Sequence, residues 1–227
     1  MNRISFIDFL RGISVIPMII FNYSITFSYF NIFTFLPNNN FYWFWFPRII
    51  ALLFIFSAGL SAIASFKRKS ENFEKRYLKR GLKLLFIAIL ITIATRLFVG
   101  KYYIYFGIIH FFSLTSFLIT YSIKLGYLNL LFSIISVLIG SFLSKFETSS
   151  KILSVIGISP NFFTFDYFPI FPWIGVLFFG IFFGEVFYEK IKKIEIDVKP
   201  ILFIGKNSLL IYLLHQPLLV LILMLLK

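Results

Sequence analysis

The amino-acid sequence predicts an all-α fold, a bundle of about seven helices that cross a membrane. Of its 227 residues 59% are hydrophobic and only 14% are charged, and the mean hydropathy is +0.92. A soluble domain needs far more charge than this on its surface. In addition, the apolar residues form several runs of about 20, the length of a membrane-spanning helix, whereas the strands of a barrel would be short and alternating.

Seven apolar runs are long enough to be predicted spans, and they make the whole chain, residues 1–227, one predicted membrane-embedded domain. Their limits are roughly 8–31, 44–66, 83–99, 104–123, 127–144, 168–188 and 207–226. The first run is too long for the core of a signal peptide, which predicts a retained helix. Because the sequence has no Cys and two His, it predicts neither disulfides nor a usual zinc site.

The first predicted span carries polar side chains that need a partner or a cavity inside lipid. Asp8 and Arg11 are three residues apart and can pair on one helix face. Asn22 follows Arg11 by eleven residues, which places both on the same face, about 16 Å apart along the axis. Pro17 between them can kink the helix. This pattern predicts one of two arrangements: a polar face along a passage, or an ion pair at the membrane edge together with an Asn that joins two helices.

The segment KRKSENFEKRYLKRGLK, residues 67–83, follows the second predicted span and holds eight Lys or Arg against two Glu. Most of the other basic residues fall on the same side of the predicted spans, which indicates a cytoplasmic N-terminus and an external C-terminus. The net charge of +13 therefore reflects orientation in the membrane rather than binding to nucleic acid. We predict a multi-pass protein of the plasma membrane that contacts membrane lipids.

One ionisable residue lies within the fourth predicted span and another lies just before the sixth. His110 lies one turn before Ser113, and a hydrogen bond between helices explains it better than catalysis, because no carboxylate in that helix completes a triad. Asp166 precedes a Pro-rich turn at the mouth of the sixth predicted span, where a carboxylate can orient a histidine or hold a polar substrate. Gly180 and Gly184 in that span have the spacing of close helix packing, which also permits a homodimer.

The C-terminal predicted span contains GKNSLLIYLLHQPL and keeps a histidine in the middle of an apolar run. Ser208, Tyr212 and His215 share one stripe of the helix at i, i+4 and i+7, and Asn207 or Ser208 is the predicted N-cap. Pro217 removes a backbone donor, which opens a polar niche beside His215. A general base and a structural hydrogen-bonding role are both consistent with this position.

Four segments, taken together and in this order, resemble one family of membrane enzymes. They are IDFLRGISVIPMIIFNY, RYLKRGLKLLFIAILIT, YFGIIHFFSL with DYFPIFPWIGVLFFG, and GKNSLLIYLLHQPL. Over nearly its whole length the chain is similar to the membrane-embedded catalytic domain of heparan-α-glucosaminide N-acetyltransferase and its prokaryotic relatives. The closing G-x-N-S-x-x-x-Y-x-x-H, together with the turn F-P-W-x-G, is the most specific part of the likeness.

The resemblance implies transfer of an acetyl group from acetyl-CoA, bound from the cytosol, to an amine or hydroxyl of a glycan, amino sugar or lipid, without a metal. In that role His215 is the general base and Asn22 donates to the thioester oxygen. Asp166, at the mouth of the sixth predicted span, is the third residue of the predicted catalytic set. The positions predicted to support the pocket are Asp8, Tyr23, His110, Asn207, Ser208 and Tyr212. The predicted contacts of the CoA phosphates are Arg11, Arg76, Lys79, Arg80 and Lys83.

One departure from the family leaves the chemistry open. The animal enzymes have a histidine a few turns after the Asn-Tyr pair and many bacterial relatives have one in place of the Asn, whereas residues 22–42 here contain none. Either His215 transfers the proton alone, or this member has changed or lost the reaction. The alternative functions are a transporter or flippase for a lipid or polar solute, and a non-catalytic membrane scaffold.

Overall fold

The computed structural model describes residues 4–225, which form mostly helix. A π-helical turn, Phe41–Trp45, precedes the second helix, and two short strands, β1 (Glu147–Thr148) and β2 (Ser159–Pro160), pair in parallel. The predicted all-α class is confirmed, while residue 226, the predicted end of the last span, lies outside the described residues. The helices are α1 (Ser5–Tyr29), α2 (Phe46–Arg68), α3 (Phe73–Val99), α4 (Ile108–Ser122), α5 (Leu128–Leu143), α6 (Lys151–Ile156), α7 (Trp173–Lys192), α8 (Lys199–Lys206) and α9 (Ser208–Leu225).

Each predicted span contains a helix, but fewer than seven helices of the described chain qualify as spans by length and composition. Lys199–Lys206 and Ser208–Leu223 qualify only as a pair bent by 81°, which would raise the number from four to five. α5 is a shorter apolar helix of 16 residues, and α7 carries charged residues in its last two turns. The predicted count of about seven is therefore not confirmed. The four that qualify singly are Ser5–Tyr29, Phe41–Arg68, Phe73–Tyr102 and Ile108–Leu125.

The helix limits depart most from the prediction at the basic segment and before the last span. α3 already begins at Phe73, because the Lys and Arg residues that follow are good helix formers. α8 was not predicted. The side-chain amide of Asn207 donates to the carbonyl of Phe203 at 2.9 Å and so closes α8, while the Asn207 carbonyl accepts from Ile211 in the first turn of α9. The predicted N-cap is thus the bend between two helices.

The described chain forms two compact units, of which the first holds the residues up to Ser57 and from Glu189 onward. In this unit α1 packs against α8 and α9. A Cβ at Gly12 would meet the backbone carbonyl of Ile201, and a Cβ at Gly205 would meet that of Asp8. The glycines of the opening and closing motifs therefore let α1 and α8 touch backbone to backbone, which no larger residue allows.

The second unit, Ala58–Tyr188, is built on the contact between α3 and α4 and on the packing of α2 against α7. Gly59 on α2 approaches the backbone of Gly180, and a side chain at Gly184 would press on Ile63. The glycine pair of α7 thus serves packing inside this unit. The homodimer stays a prediction.

Large apolar side chains face outward on several helices. On α3, Phe86 and Leu97 are 64% and 77% exposed, and on α5 Leu138 is 63% exposed. Surfaces of this kind are unfavourable in water and favourable against acyl chains. Together with the spanning helices they identify a membrane protein.

Candidate active site

The two groups on which the predicted site depends lie in direct contact. Asn22 on α1 and His215 on α9 are separated by 193 positions in the chain, yet Asn22 Nδ2 and His215 Nε2 are 3.1 Å apart. Both belong to the first unit, where α1 and α9 pack together. His215 is buried, with 7% of its surface exposed. A buried imidazole and a carboxamide therefore face each other between two helices.

The hydrogen-bond partners of His215 fix the ring nitrogen that carries the hydrogen. Nδ1 lies 2.8 Å from the carbonyl oxygen of Tyr212 and 3.1 Å from that of Ile211. Carbonyl oxygens only accept, so Nδ1 is the N–H donor. On a neutral ring Nε2 then holds the lone pair, and the amide of Asn22 donates to it. The lone pair needed by a general base is thus aimed at α1 and is occupied by a side chain that another donor can replace.

Two tyrosines flank the imidazole. The ring of Tyr23 stacks on that of His215 with centroids 6.1 Å apart and 20° between planes, and its hydroxyl donates to the His215 carbonyl at 3.3 Å. The ring of Tyr212 lies 5.8 Å from the imidazole, tilted by 54°. Ser208 is buried in the first turn of the same helix. The Asn-Tyr pair of the opening motif and the Tyr-x-x-His of the closing motif therefore form one cluster.

Gln216, to which the sequence assigned no role, extends this cluster by one turn of α1. Its Nε2 donates to the hydroxyl of Thr26, which in turn donates to the backbone carbonyl of Asn22 at 3.0 Å. Its other polar atom, Oε1, is buried and has no hydrogen-bond partner among the described residues. The one sign of Gln216 in the sequence was its place beside His215 in an apolar run.

The N-terminal part of α1 holds a second buried acceptor. Asp8 is 4% exposed, and its Oδ2 has no hydrogen-bond partner in the part of the chain that the structure describes. Its backbone carbonyl lies at the contact with Gly205. Arg11, one turn further along α1, is half-buried. The pairing of these two side chains stays a prediction.

A family model supplies the comparison that decides the kind of protein. The model described as heparan-alpha-glucosaminide N-acetyltransferase, catalytic, matches residues 3–217, nearly the whole chain. The chain belongs to this family. Comparison with curated proteins and with solved structures gives no match. The family points to a membrane transferase of the N-acetyltransferase type, and the resemblance of the four motif segments is confirmed.

In this N-acetyltransferase family member, Asp166 has its partners in the second unit. Its Oδ2 accepts a hydrogen bond from the backbone N–H of Ile108 at 3.1 Å, and a Cβ at Gly107 would meet the same carboxylate. The carboxylate therefore caps the N-terminus of α4, where the helix dipole favours negative charge. This contact gives Asp166 a structural function, and its catalytic role stays a prediction.

His110 caps the same helix end. Its Nδ1 accepts from the backbone N–H of Gly107 at 3.2 Å, and its Nε2 lies 3.0 Å from the hydroxyl of Thr92 on α3. The Thr92 hydroxyl donates its one hydrogen to the carbonyl of Ile104 at 2.8 Å. Nε2 of His110 is therefore the donor to Thr92. The hydrogen bond between helices that the sequence favoured for His110 is present.

Arg76, one of the predicted phosphate contacts, is hydrogen-bonded to the loop before α3. The guanidinium of Arg76 donates to the backbone carbonyls of Lys69 and Glu71 and thereby fastens the loop. A cavity of about 350 Å³ lies beside this loop, and its lining includes Lys75 and Lys124, two cations that the sequence did not single out.

The remaining basic residues of this segment lie on α3. Lys79 and Lys83 are exposed and one turn apart. Arg80 is half-buried, with its guanidinium 5.4 Å from the centroid of the Tyr77 ring. The two lysines therefore present their charge outward, whereas Arg76 and Arg80 have partners within the second unit.

Proposed function

We propose that this protein is an integral-membrane acyltransferase that moves an acetyl group from cytosolic acetyl-CoA to an amine or hydroxyl of a glycan, amino sugar or lipid. The observation that supports it best is the 3.1 Å contact between Asn22 and His215, with Nε2 as the acceptor. Acyl transfer needs a base for the nucleophile's proton and a donor for the oxygen on which negative charge develops. Family membership supports the same reaction class.

In the proposed reaction His215 takes the proton of the attacking group. The acceptor's nitrogen or oxygen bonds to the thioester carbon while its proton passes to Nε2. The carbonyls of Ile211 and Tyr212 keep the Nδ1 hydrogen and stabilise the positive charge of the imidazolium. The carbon–sulfur bond then breaks, and the proton on Nε2 passes to the departing sulfur, so that CoA leaves as the thiol and His215 is again neutral.

Asn22 changes partner during this step. Once the acceptor donates to Nε2, the amide of Asn22 is free to donate to the thioester oxygen as its charge grows. The hydroxyl of Thr26 holds the backbone carbonyl of Asn22 at 3.0 Å, which limits the movement to the side chain. One donor of this type contributes about 10²–10³-fold to the rate.

For the basic segment we propose the phosphates of acetyl-CoA as ligand. Lys79 and Lys83 are exposed and carry the charge that attracts an anion, Arg80 stands beside them, and Arg76 holds the preceding loop. Arg11 is a further proposed contact. Anionic lipid is the competing ligand for these charges. Binding to lipid would be non-specific, so that any polyanionic surface would compete for it, whereas a CoA site would select the nucleotide.

We propose a location in the plasma membrane with the N-terminus in the cytoplasm and the C-terminus outside. The excess of Lys and Arg on one side of the predicted spans supports this orientation. In this arrangement α1 runs outward, so that Asn22 lies closer to the external face than Asp8.

The test is an assay of purified, detergent-solubilised protein with acetyl-CoA labelled in the acetyl group and a panel of glucosamine, ethanolamine and spermidine. We expect free CoA thiol and labelled product in equal amounts, with His215→Ala as the inactive control. Vesicle uptake of a solute without a labelled product would indicate a transporter. Absence of thiol release with every acceptor would contradict the proposal.

A further inference from the structure

Gln216 presents a buried oxygen that no group of the described chain uses. The Oε1 atom is inaccessible to solvent and has no hydrogen-bond partner, a state that is costly for an amide. The residue follows His215 directly, and its Nε2 is bound to Thr26 on α1. The unused acceptor therefore belongs to the contact between α1 and α9 that also holds Asn22 and His215.

The hydrogen bonds of Thr26 assign the orientation of this amide. A threonine hydroxyl has one hydrogen, and here it is donated to the backbone carbonyl of Asn22 at 3.0 Å. Towards Gln216 the hydroxyl can therefore only accept, which requires the NH₂ group of Gln216 on that side. Oε1 then points away from Thr26, and with the amide rotated the two oxygens could pair only if Thr26 gave up its bond to the carbonyl of Asn22.

On this basis, and resting on the proposed function, we propose that Oε1 of Gln216 accepts a hydrogen bond from the acceptor substrate and makes Gln216 a specificity-determining residue. Asn22 and Thr26 are four residues apart on α1, so the contacts of His215 and Gln216 with this helix are roughly 6 Å apart along its axis. Two hydrogen bonds of about 2.9 Å from one bound group span nearly that distance. A bound group that donates to Nε2 of His215 is therefore within reach of the amide of Gln216, whose Oε1 lies on the side away from Thr26.

The acetyl-accepting substrate must supply two hydrogens, one for Nε2 of His215 and one for Oε1 of Gln216. A primary amine has two hydrogens on the reacting nitrogen, one for His215 and one for Gln216, with the lone pair left for the thioester carbon. An amino sugar also has a hydroxyl next to the amine. In both cases the ligand is an N–H or O–H donor, whereas an alcohol with a single hydroxyl has its one hydrogen engaged by His215. The site then favours amines or polyols over simple alcohols.

The test compares two acceptors, glucosamine and cyclohexylamine, with two variants, Gln216→Met and Thr26→Val, in detergent. Methionine keeps the length of the side chain but lacks both the oxygen and the NH₂ group that binds Thr26. We expect the KM for glucosamine to rise roughly 10-fold while the KM for acetyl-CoA is unchanged. The melting temperature should fall only slightly, because of the two polar atoms lost only Nε2 had a partner, the hydroxyl of Thr26. Thr26→Val frees the amide to rotate, and we expect a rise of about 3-fold.

Each result decides a point. An equal rise for both amines assigns the bound hydrogen to the reacting nitrogen, and a rise for glucosamine alone assigns it to the neighbouring hydroxyl. An unchanged KM for both acceptors in folded Gln216→Met overturns the inference while the acyltransferase stands; if that variant does not fold, Thr26→Val is judged by the same criterion. If the wild type has no transferase activity, the measurement is the rise in melting temperature on addition of glucosamine without acetyl-CoA. If glucosamine raises it equally in wild type and Gln216→Met, or in neither, the inference is overturned.

Discussion

His110 in the second unit and His215 in the first are both hydrogen-bonded through both ring nitrogens, but as opposite tautomers. His110 accepts at Nδ1 from the backbone of Gly107 and donates from Nε2 to Thr92. His215 donates from Nδ1 to backbone carbonyls and accepts at Nε2 from Asn22. The nitrogen that holds the lone pair is thus bound by backbone in one ring and by a side chain in the other.

This difference separates a structural histidine from a candidate base. The lone pair of His110 accepts from the backbone N–H of Gly107 at the start of α4. Its Nε2 hydrogen is donated to Thr92, which in turn donates to the carbonyl of Ile104. No group can enter without unwinding a helix end. At His215, displacement of one amide exposes the lone pair, and the next residue, Gln216, has a buried oxygen without a partner among the described residues. This difference is what our proposal of a bound donor at the second region rests on.

The largest effect is expected from His215→Ala, which removes the lone pair altogether. We predict that acetyl transfer falls by about 10²–10⁴-fold, the contribution of a positioned general base. The fold should persist, because α1 still packs on α8 and α9. Initial rates with labelled acetyl-CoA, corrected for the folded fraction by size-exclusion chromatography, measure the effect.

His110→Ala is the matched control for this substitution. It leaves the N–H of Gly107 and the hydroxyl of Thr92 without their partner, so we expect a lower melting temperature and a rate per folded molecule close to wild type. Equal losses of rate per folded molecule in both variants would erase the distinction between the two histidines.

Asn22→Leu is expected to have the next largest effect. The substitution keeps the branched shape of the side chain but removes the donor, and we predict a kcat lower by about 10²–10³-fold. The KM for acetyl-CoA should change much less, because the donor acts on charge that develops after binding. A kcat equal to that of wild type would show that Asn22 only holds His215 in place.

Thr92→Val makes the corresponding change at His110. Here the Nε2 hydrogen loses its acceptor and the carbonyl of Ile104 loses a donor, while no reacting group is affected. We predict a loss of about 1–3 kcal/mol in the free energy of unfolding and an unchanged kcat. Denaturant titration in detergent gives the first quantity and the labelled assay gives the second. A large fall in kcat without a change in stability would place His110 in the chemistry.

The part of the site that could be predicted from the sequence is the part whose polar side chains carry a free-energy penalty in lipid. Asn22 and His215 are conspicuous because lipid penalises polar groups, and the motifs of the family mark both. The free oxygen of Gln216 is not predictable, because the orientation of its amide depends on a hydrogen of Thr26, whose acceptor is a backbone atom. For the same reason Arg76 looks like a free cation in the sequence, although backbone carbonyls bind it.

The fold was predictable to a similar degree. The apolar runs locate a helix in every predicted span, since only a helix satisfies its own backbone in lipid. The number of spans was not predictable. α7 ends in charged residues, and the chain bends by 81° at Asn207, so that neither apolar run is one long straight helix. The contact of Gly12 and Gly205 with the facing backbones also needed the structure, as the glycine pair that the sequence singled out lies on α7.

The smallest effect is expected from Tyr23→Phe, which separates the two contacts of Tyr23 with His215. The variant keeps the stacked ring, 6.1 Å from the imidazole, and removes a hydroxyl that donates to the His215 carbonyl at the long distance of 3.3 Å. Such a bond is weak, so we predict a fall in kcat of no more than about 3-fold, measured in the labelled assay beside Asn22→Leu. Tyr23→Leu removes the ring as well and should cost more. A loss in Tyr23→Phe as large as that in Asn22→Leu would mean that the hydroxyl reaches the reacting atoms, and the base would then depend on three side chains rather than two.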